Sequence, residues 1–163
     1  MSTTGDAIPA RGGAAAYEGV ILWEYSPDLD RDADPGEIVW TWVPYEDQPQ
    51  VGKDRPVAVL GRTPDGRLAA AMLSSRNHDG DARWIGIGAG AWDAEGRPSW
   101  VRRDRVLAVS AAAVRREGSV LPRATYDAIR MAMGANEANV AGGASAGPVR
   151  GLRARLRRLV GRS

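Results

Sequence analysis

The chain has 163 residues, with 22 Lys and Arg against 20 Asp and Glu and a formal charge of +2. That length suits one domain with tails, and that balance excludes a histone-like or strongly acidic protein. With no cysteine and a single histidine, His78, disulfide scaffolds, thiol nucleophiles, Cys-ligated metal centres and a His-rich metal site within one chain are excluded.

No apolar run reaches the roughly 18 residues of a membrane span. No basic segment followed by an apolar core opens the chain as a secretory signal does. A cytoplasmic protein without a membrane partner is therefore expected. The charge sits unevenly: residues 1–34 carry seven acids and two Arg, and residues 149–163 carry six Arg and no acid.

Residues 1–16 are small and polar and predict a disordered lead. Residues 17–34 form an acidic extension. Within it Tyr17–Tyr25 (YEGVILWEY) is an apolar island that reads as an extra edge strand, and Ser26–Gly36 is an acidic loop. The series Asp28, Asp30, Asp32, Asp34 has the look of a calcium loop. An EF-hand counted from Asp30 needs Gly sixth and Glu twelfth, where Pro35 and Thr41 stand, so no metal is expected.

Residues 35–134 form the expected folded domain. Ile38–Val43 (IVWTWV), Pro56–Gly61 (PVAVLG), Leu68–Leu73 (LAAAML), Ala82–Ile87 and Trp100–Val109 read as strands. Such short strands suit a small barrel or sandwich. Trp40 and Trp42 share one face of their strand, as core or as a stacking surface for bases. Trp84, Trp92 and Trp100 read as structural. Pro122–Met133 is helical, with Tyr126, Ile129 and Met133 on one stripe and Gly134 as its end. Residues 135–148 read as a flexible linker, and residues 149–163 as an Arg-rich helix or tail.

The turn Thr63-Pro64-Asp65-Gly66 makes a hairpin of its two neighbouring strands, because Pro64 presets φ and Gly66 accepts positive φ. A two-residue loop places Arg55 opposite Ser74, and a bulge at Gly66 places it opposite Ser75. Opposed residues share a sheet face, with Cβ atoms about 5 Å apart. The hairpin thus brings a guanidinium and a hydroxyl together at its far end. The loop Ser74–Asp81 (SSRNHDGD), with the single His78, starts there, and the loop Pro44–Asp54 leads into Arg55. Arg offers a fork of donors to phosphate oxygens, and His titrates where a proton can be moved near neutral pH.

Residues 35–61 (PGEIVWTWVPYEDQPQVGKDRPVAVLG) and 72–75 (MLSS) resemble toxins of the PemK/MazF family. Gly52, Lys53, Arg55 and Pro56 match its Gly-Lys-x-Arg-Pro step, and Ser74-Ser75 stands where Thr-Ser is usual. Residues 99–133 resemble its closing strand, short helix and final helix. PGEIVWTWVPYED and SSRNHDGD look like an actinobacterial PemK-like branch.

The resemblance implies a mainly β (α+β) fold: an SH3-like β-barrel with a C-terminal helix, usually dimeric. It implies a metal-independent, cofactor-free endoribonuclease that cuts single-stranded RNA through 2′-hydroxyl attack, and an antitoxin that covers its site. Arg55 carries over as the catalytic Arg, Ser74 as its hydroxyl partner, and His78 is the candidate acid or base. Lys53, Ser75, Arg76, Trp42, Glu46 and Asp47 are candidate RNA contacts. The family often has Glu before the Gly-Lys step, where this chain has Gln50, so the general base is unassigned and Glu46 and Asp47 are the acids of that loop. The competing reading is a non-catalytic binding protein of the same fold acting on a protein partner.

Overall fold

The computed structural model describes residues 13–28 and 32–141. Residues 1–12 of the expected lead, 142–148 of the linker and the Arg-rich segment 149–163 lie outside the described residues. The chain divides into two units, 1–130 and 131–163.

Among the described residues the first unit holds nine strands: β1 (Ala14–Tyr17), β2 (Leu22–Trp23), β3 (Glu37–Pro44), β4 (Gly52–Arg62), β5 (Leu68–Ser74), β6 (Trp84–Gly88), β7 (Ser99–Arg102), β8 (Val106–Val109) and β9 (Arg115–Val120). Helix α1 (Arg123–Ala141) begins in this unit and continues through the described residues of the second. The fold is mainly antiparallel β with one helix, the α+β class expected. Strand order is β1-β8-β5-β4-β3-β9, with β2 added to β4 and β7 joining β5 to β6, and the sheet is not closed.

The β4–β5 hairpin is built on the expected turn. Gly66 takes φ +92°, its N–H donates to Thr63 O at 2.9 Å, and Thr63 N–H donates to Arg67 O at 2.9 Å. Both registers considered for it occur. Arg62 faces Leu68 and Gly61 faces Ala69 beside the turn; after an irregularity at Leu60, Val59 faces Ala70 and Val57 faces Met72. The displaced carbonyl of Leu60 is satisfied by the Tyr126 hydroxyl at 2.6 Å and by Glu24 N–H at 3.3 Å.

Alternation along these strands gives the sheet two buried faces. One carries Val39, Val43, Val57, Val59, Leu68, Ala70, Met72, Leu107 and Val109, which pack as one cluster. The other carries Ile38 and Leu60; Leu121, Tyr126 and Ile129 are likewise buried. Tyr126 meets Trp23 edge-on at 6.2 Å and lies 5.1 Å from Tyr25.

Four expectations are corrected. Residues 14–16 are not part of a lead, because β1 pairs with the β8 edge, Ala14 opposite Val109. The island Tyr17–Tyr25 is not one strand: β1 ends at Tyr17, which pairs with Val106, and after it only Leu22–Trp23 pairs, with Arg62 and Gly61. Trp100–Val109 is two strands, broken where Arg103 N–H turns to Arg83 O at 2.7 Å. Gly134 does not end the helix, which runs on to Ala141 through residues expected to be linker. The acidic loop is tethered by the buried Glu37, whose carboxylate accepts from the Asp28 and Asp34 N–H groups at 3.0 and 3.2 Å.

Candidate active site

Pairing between β4 and β5 reaches Val57 and Met72. Beyond it the strands part. β4 stays with β3, Arg55 opposite Thr41, while β5 turns to β7, Ser74 opposite Trp100. A cleft of about 710 Å³ opens where they separate. Arg55 continues the face of Val57 and Val59, and Ser74 continues that of Ala70 and Met72, by the two-residue period of a strand. The site is therefore the end of the apolar core, where its inward row changes to Arg and Ser.

Arg55 is half-buried on the cleft wall, with Lys53 exposed beside it. Burial, and after it the charge of Arg76, lower the Arg55 pKa, against the opposing effect of Tyr45. Among the described residues no ion pair and no side-chain hydrogen bond engages its guanidinium. Asp54, its neighbour, pairs instead with Arg115 at 3.4 Å. A desolvated cation facing open space without an acid is arranged to meet an anion from outside.

Ser74 is held by its own loop. Its Oγ accepts from the Arg76 N–H at 3.1 Å and lies 3.1 Å from His78 Nε2. The loop returns tightly enough to bring His78 back over Ser74: Asp79 N–H donates to Asn77 Oδ1 at 2.7 Å, Asp81 N–H to His78 O at 3.0 Å, and Gly80 takes φ +82°. His78 is held below its ordinary pKa, first by burial and then by the charges of Arg76, Arg83 and Arg102, against the pull of Asp81. Asp81 itself is drawn down to about 2 by hydrogen bonds from Arg83. The shift favours the uncharged imidazole, the form able to take a proton.

Of the other candidates, Lys53, Ser75 and Arg76 line the cleft, and Trp42, Glu46 and Asp47 do not. Trp42 packs over Gly52, where an added Cβ would meet its Cζ2 at 2.9 Å. Glu46 grips Arg102, both carboxylate oxygens 3.2 Å from its Nη2. Trp40, offered with Trp42 as a stacking face, lines the cleft, and sequence reading missed Asp54, Trp84, Trp92, Asp93, Glu95 and Arg97 as lining residues. The even spacing of Trp40 and Trp42 marked a face without saying which of the two meets the cleft. Trp84 was read as structural, yet it is only partly buried and stacks on His78. Among the described residues no group of three or more His, Cys, Asp or Glu could hold a metal, and no helix is long and apolar enough to cross a membrane.

The family model described as "PemK-like, MazF-like toxin of type II toxin-antitoxin system" matches residues 34–135. The chain belongs to that toxin family. The match contains β3 to β9, the cleft and every candidate residue above; β1, β2 and residues 149–163 fall outside it. No curated protein matches the chain.

Proposed function

We propose that this toxin-family chain is an endoribonuclease that cuts single-stranded RNA without a metal and is held in check by an antitoxin covering the cleft. The observation that carries the reading is one arrangement: a half-buried Arg55 with no ion-pair partner among the described residues shares the cleft with a Ser74 hydroxyl 3.1 Å from His78, whose pKa burial lowers. Those groups suit phosphoryl transfer within RNA. The 2′-oxygen attacks the adjacent phosphorus, forming the 2′-O–P bond as the P–O5′ bond breaks. The 2′-hydroxyl proton passes to the His78 imidazole, and the departing 5′-oxygen takes a proton from solvent in the open cleft. The products are a 2′,3′-cyclic phosphate and a 5′-hydroxyl.

Arg55 faces the negative charge that grows on the phosphorane oxygens, and a preoriented, partly desolvated cation acts most strongly there. Ser74 donates to a second oxygen or fixes His78. The uncharged state of His78 is what a base needs, so it fills the role that Gln50 leaves open in the β3–β4 loop. Lys53 and Arg76 supply positive charge for the neighbouring phosphates.

The test is cleavage of a long single-stranded RNA in EDTA by wild type and Arg55→Ala, with product ends mapped. Discrete cuts with 5′-hydroxyl ends, lost in the variant, are expected. Absence of cleavage by wild type at every concentration refutes the nuclease and leaves a toxin that binds a protein target.

A further inference from the structure

Behind His78 lies a stack that the phosphate chemistry does not use. The imidazole lies flat on the Trp84 indole, centroids 3.7 Å apart and planes 7° from parallel. The edge of Trp100 closes on it at 6.1 Å. The same indole carries a second neighbour: the guanidinium carbon of Arg102 lies over it, 5.7 Å from the ring centroid. Arg102 comes from the end of β7, and its side chain is only 7% exposed. It is fixed by both oxygens of Glu46 at 3.2 Å and by Asp104. Glu46, Arg102, Trp84 and His78, from separate parts of the chain, are thus each in contact with the next, and His78 reaches the hydroxyl of Ser74.

An arginine stays charged at any pH of interest. Its charge draws on the same π-cloud that an imidazolium on Trp84 would need for a cation–π contact. Separations of 5.7 and 3.7 Å put the guanidinium at most about 9 Å from the imidazole, near enough for its charge to oppose protonation of the ring. The charged groups that act on His78 besides Arg102 are Asp81, Arg76 and Arg83, all from its own loop or the adjoining turn. Of these cations Arg102 alone is buried; Glu46 and Asp104, which fix it, offset part of its charge and hold the rest at a set place beside Trp84.

We propose that Arg102 is a positioning residue: through the Trp84 ring it fixes the His78 imidazole against Ser74 and keeps a second positive charge out of that stack. Glu46 then has a role other than base or RNA contact, as the clamp that orients Arg102. The catalytic meaning of this rests on the nuclease reading, whereas the coupling between Arg102 and His78 does not.

The chain has one histidine, so its imidazole resonances identify themselves in an NMR titration of the free protein. In Arg102→Met the His78 midpoint is expected to rise, and in Arg102→Lys to stay near wild type, since the charge remains. The acid limb of the kcat/KM profile on single-stranded RNA moves with it, a change that a purely structural residue does not produce. An unmoved midpoint in folded Arg102→Met overturns the proposal. If that variant does not fold, Arg102→Gln decides by the same titration: the midpoint rises with the stack on Trp84 intact, and a midpoint left in place overturns the proposal. The titration needs no RNA, so a protein that never cuts still tests the coupling. A cutting protein whose His78 ignores Arg102 refutes the coupling alone.

Discussion

Replacing Arg55 gives two opposite expectations from one observation. Its guanidinium is half-buried and has no acid partner among the described residues, and burial depresses its pKa. The folded state therefore carries a desolvation cost for that charge, and Arg55→Ala removes it. The variant should melt at or above the wild-type temperature. Its chemistry should suffer: a unit charge about 4 Å from the phosphorane at an effective dielectric constant near 20 is worth about 4 kcal/mol. The loss of a preoriented donor to such an oxyanion costs about 10²–10³ in rate. The assay is single-turnover cleavage of a short RNA holding one mapped site, with enzyme in excess so that the chemical step is read, beside a thermal melt of each protein. Arg55→Lys keeps the charge and loses the planar fork, and should fall between wild type and Arg55→Ala. Two results refute the reasoning. One is Arg55→Ala within tenfold of wild type. The other is a melting temperature several degrees lower, because the guanidinium would then be holding the fold.

Ser74→Ala should lose about one to two decades of single-turnover rate, the worth of one hydrogen bond to a charged group, while Ser74→Thr, which keeps the hydroxyl bonded to Arg76 N–H, should stay within about threefold; equal loss in both would point to packing. Tyr126→Phe should destabilise by about 1–2 kcal/mol in urea at pH 8, since the buried Leu60 carbonyl loses its 2.6 Å donor and keeps only Glu24 N–H. Burial pushes the Tyr126 hydroxyl up to about 12, so the stability it contributes is whole below pH 10 and is lost as pH rises toward 12. The gap to Tyr126→Phe should therefore close over that window, and a gap that stays constant would refute it. Gly52→Ala should cost about 1–3 kcal/mol, since the new Cβ would strike the Val43 carbonyl and lie 2.8 Å from Pro44 Cα; an unchanged denaturation midpoint would show that this end of β4 yields freely.

What could be read from the sequence is what short-range chemistry decides. Thr63-Pro64-Asp65-Gly66 sets a turn by φ preferences alone, and a turn sets register for the residues that follow. The displacement at Leu60 is the step it does not announce: it arises where a tyrosine 66 residues away takes the Leu60 carbonyl. That one-residue slip makes Val57 face Met72, the last pair before β5 leaves β4, so Arg55 and Ser74 are not the cross-strand pair the turn alone predicts and instead reach the cleft from parted strands. β9 was missed for a related reason. RREGSV has no apolar alternation, and it is a strand because Glu37 to Trp40 offer it an edge. Helix α1 continues past Gly134 because one glycine in a helix interior costs only about 1 kcal/mol, and the residues after it, ANEANVA, contain no proline to stop it.

The residues that tune the site are hidden in another way. Trp84 and Arg102 are opposed across β6 and β7, and that pair reaches His78 only because β5 leaves β4 for β7 at Leu73. Nothing within a turn or a strand period links position 102 to position 78. The catalytic candidates lie at the end of one hairpin and are legible from its turn. The group proposed to govern their proton lies two strands away, and becomes visible only when the parting of β4 and β5 is known. A motif search centred on Arg55 and Ser74 therefore finds where the phosphate sits and passes over the Arg102–Trp84 pair. The same division applies to Glu46, which the loop sequence offers as a base and which β7 engages as the partner of a buried arginine.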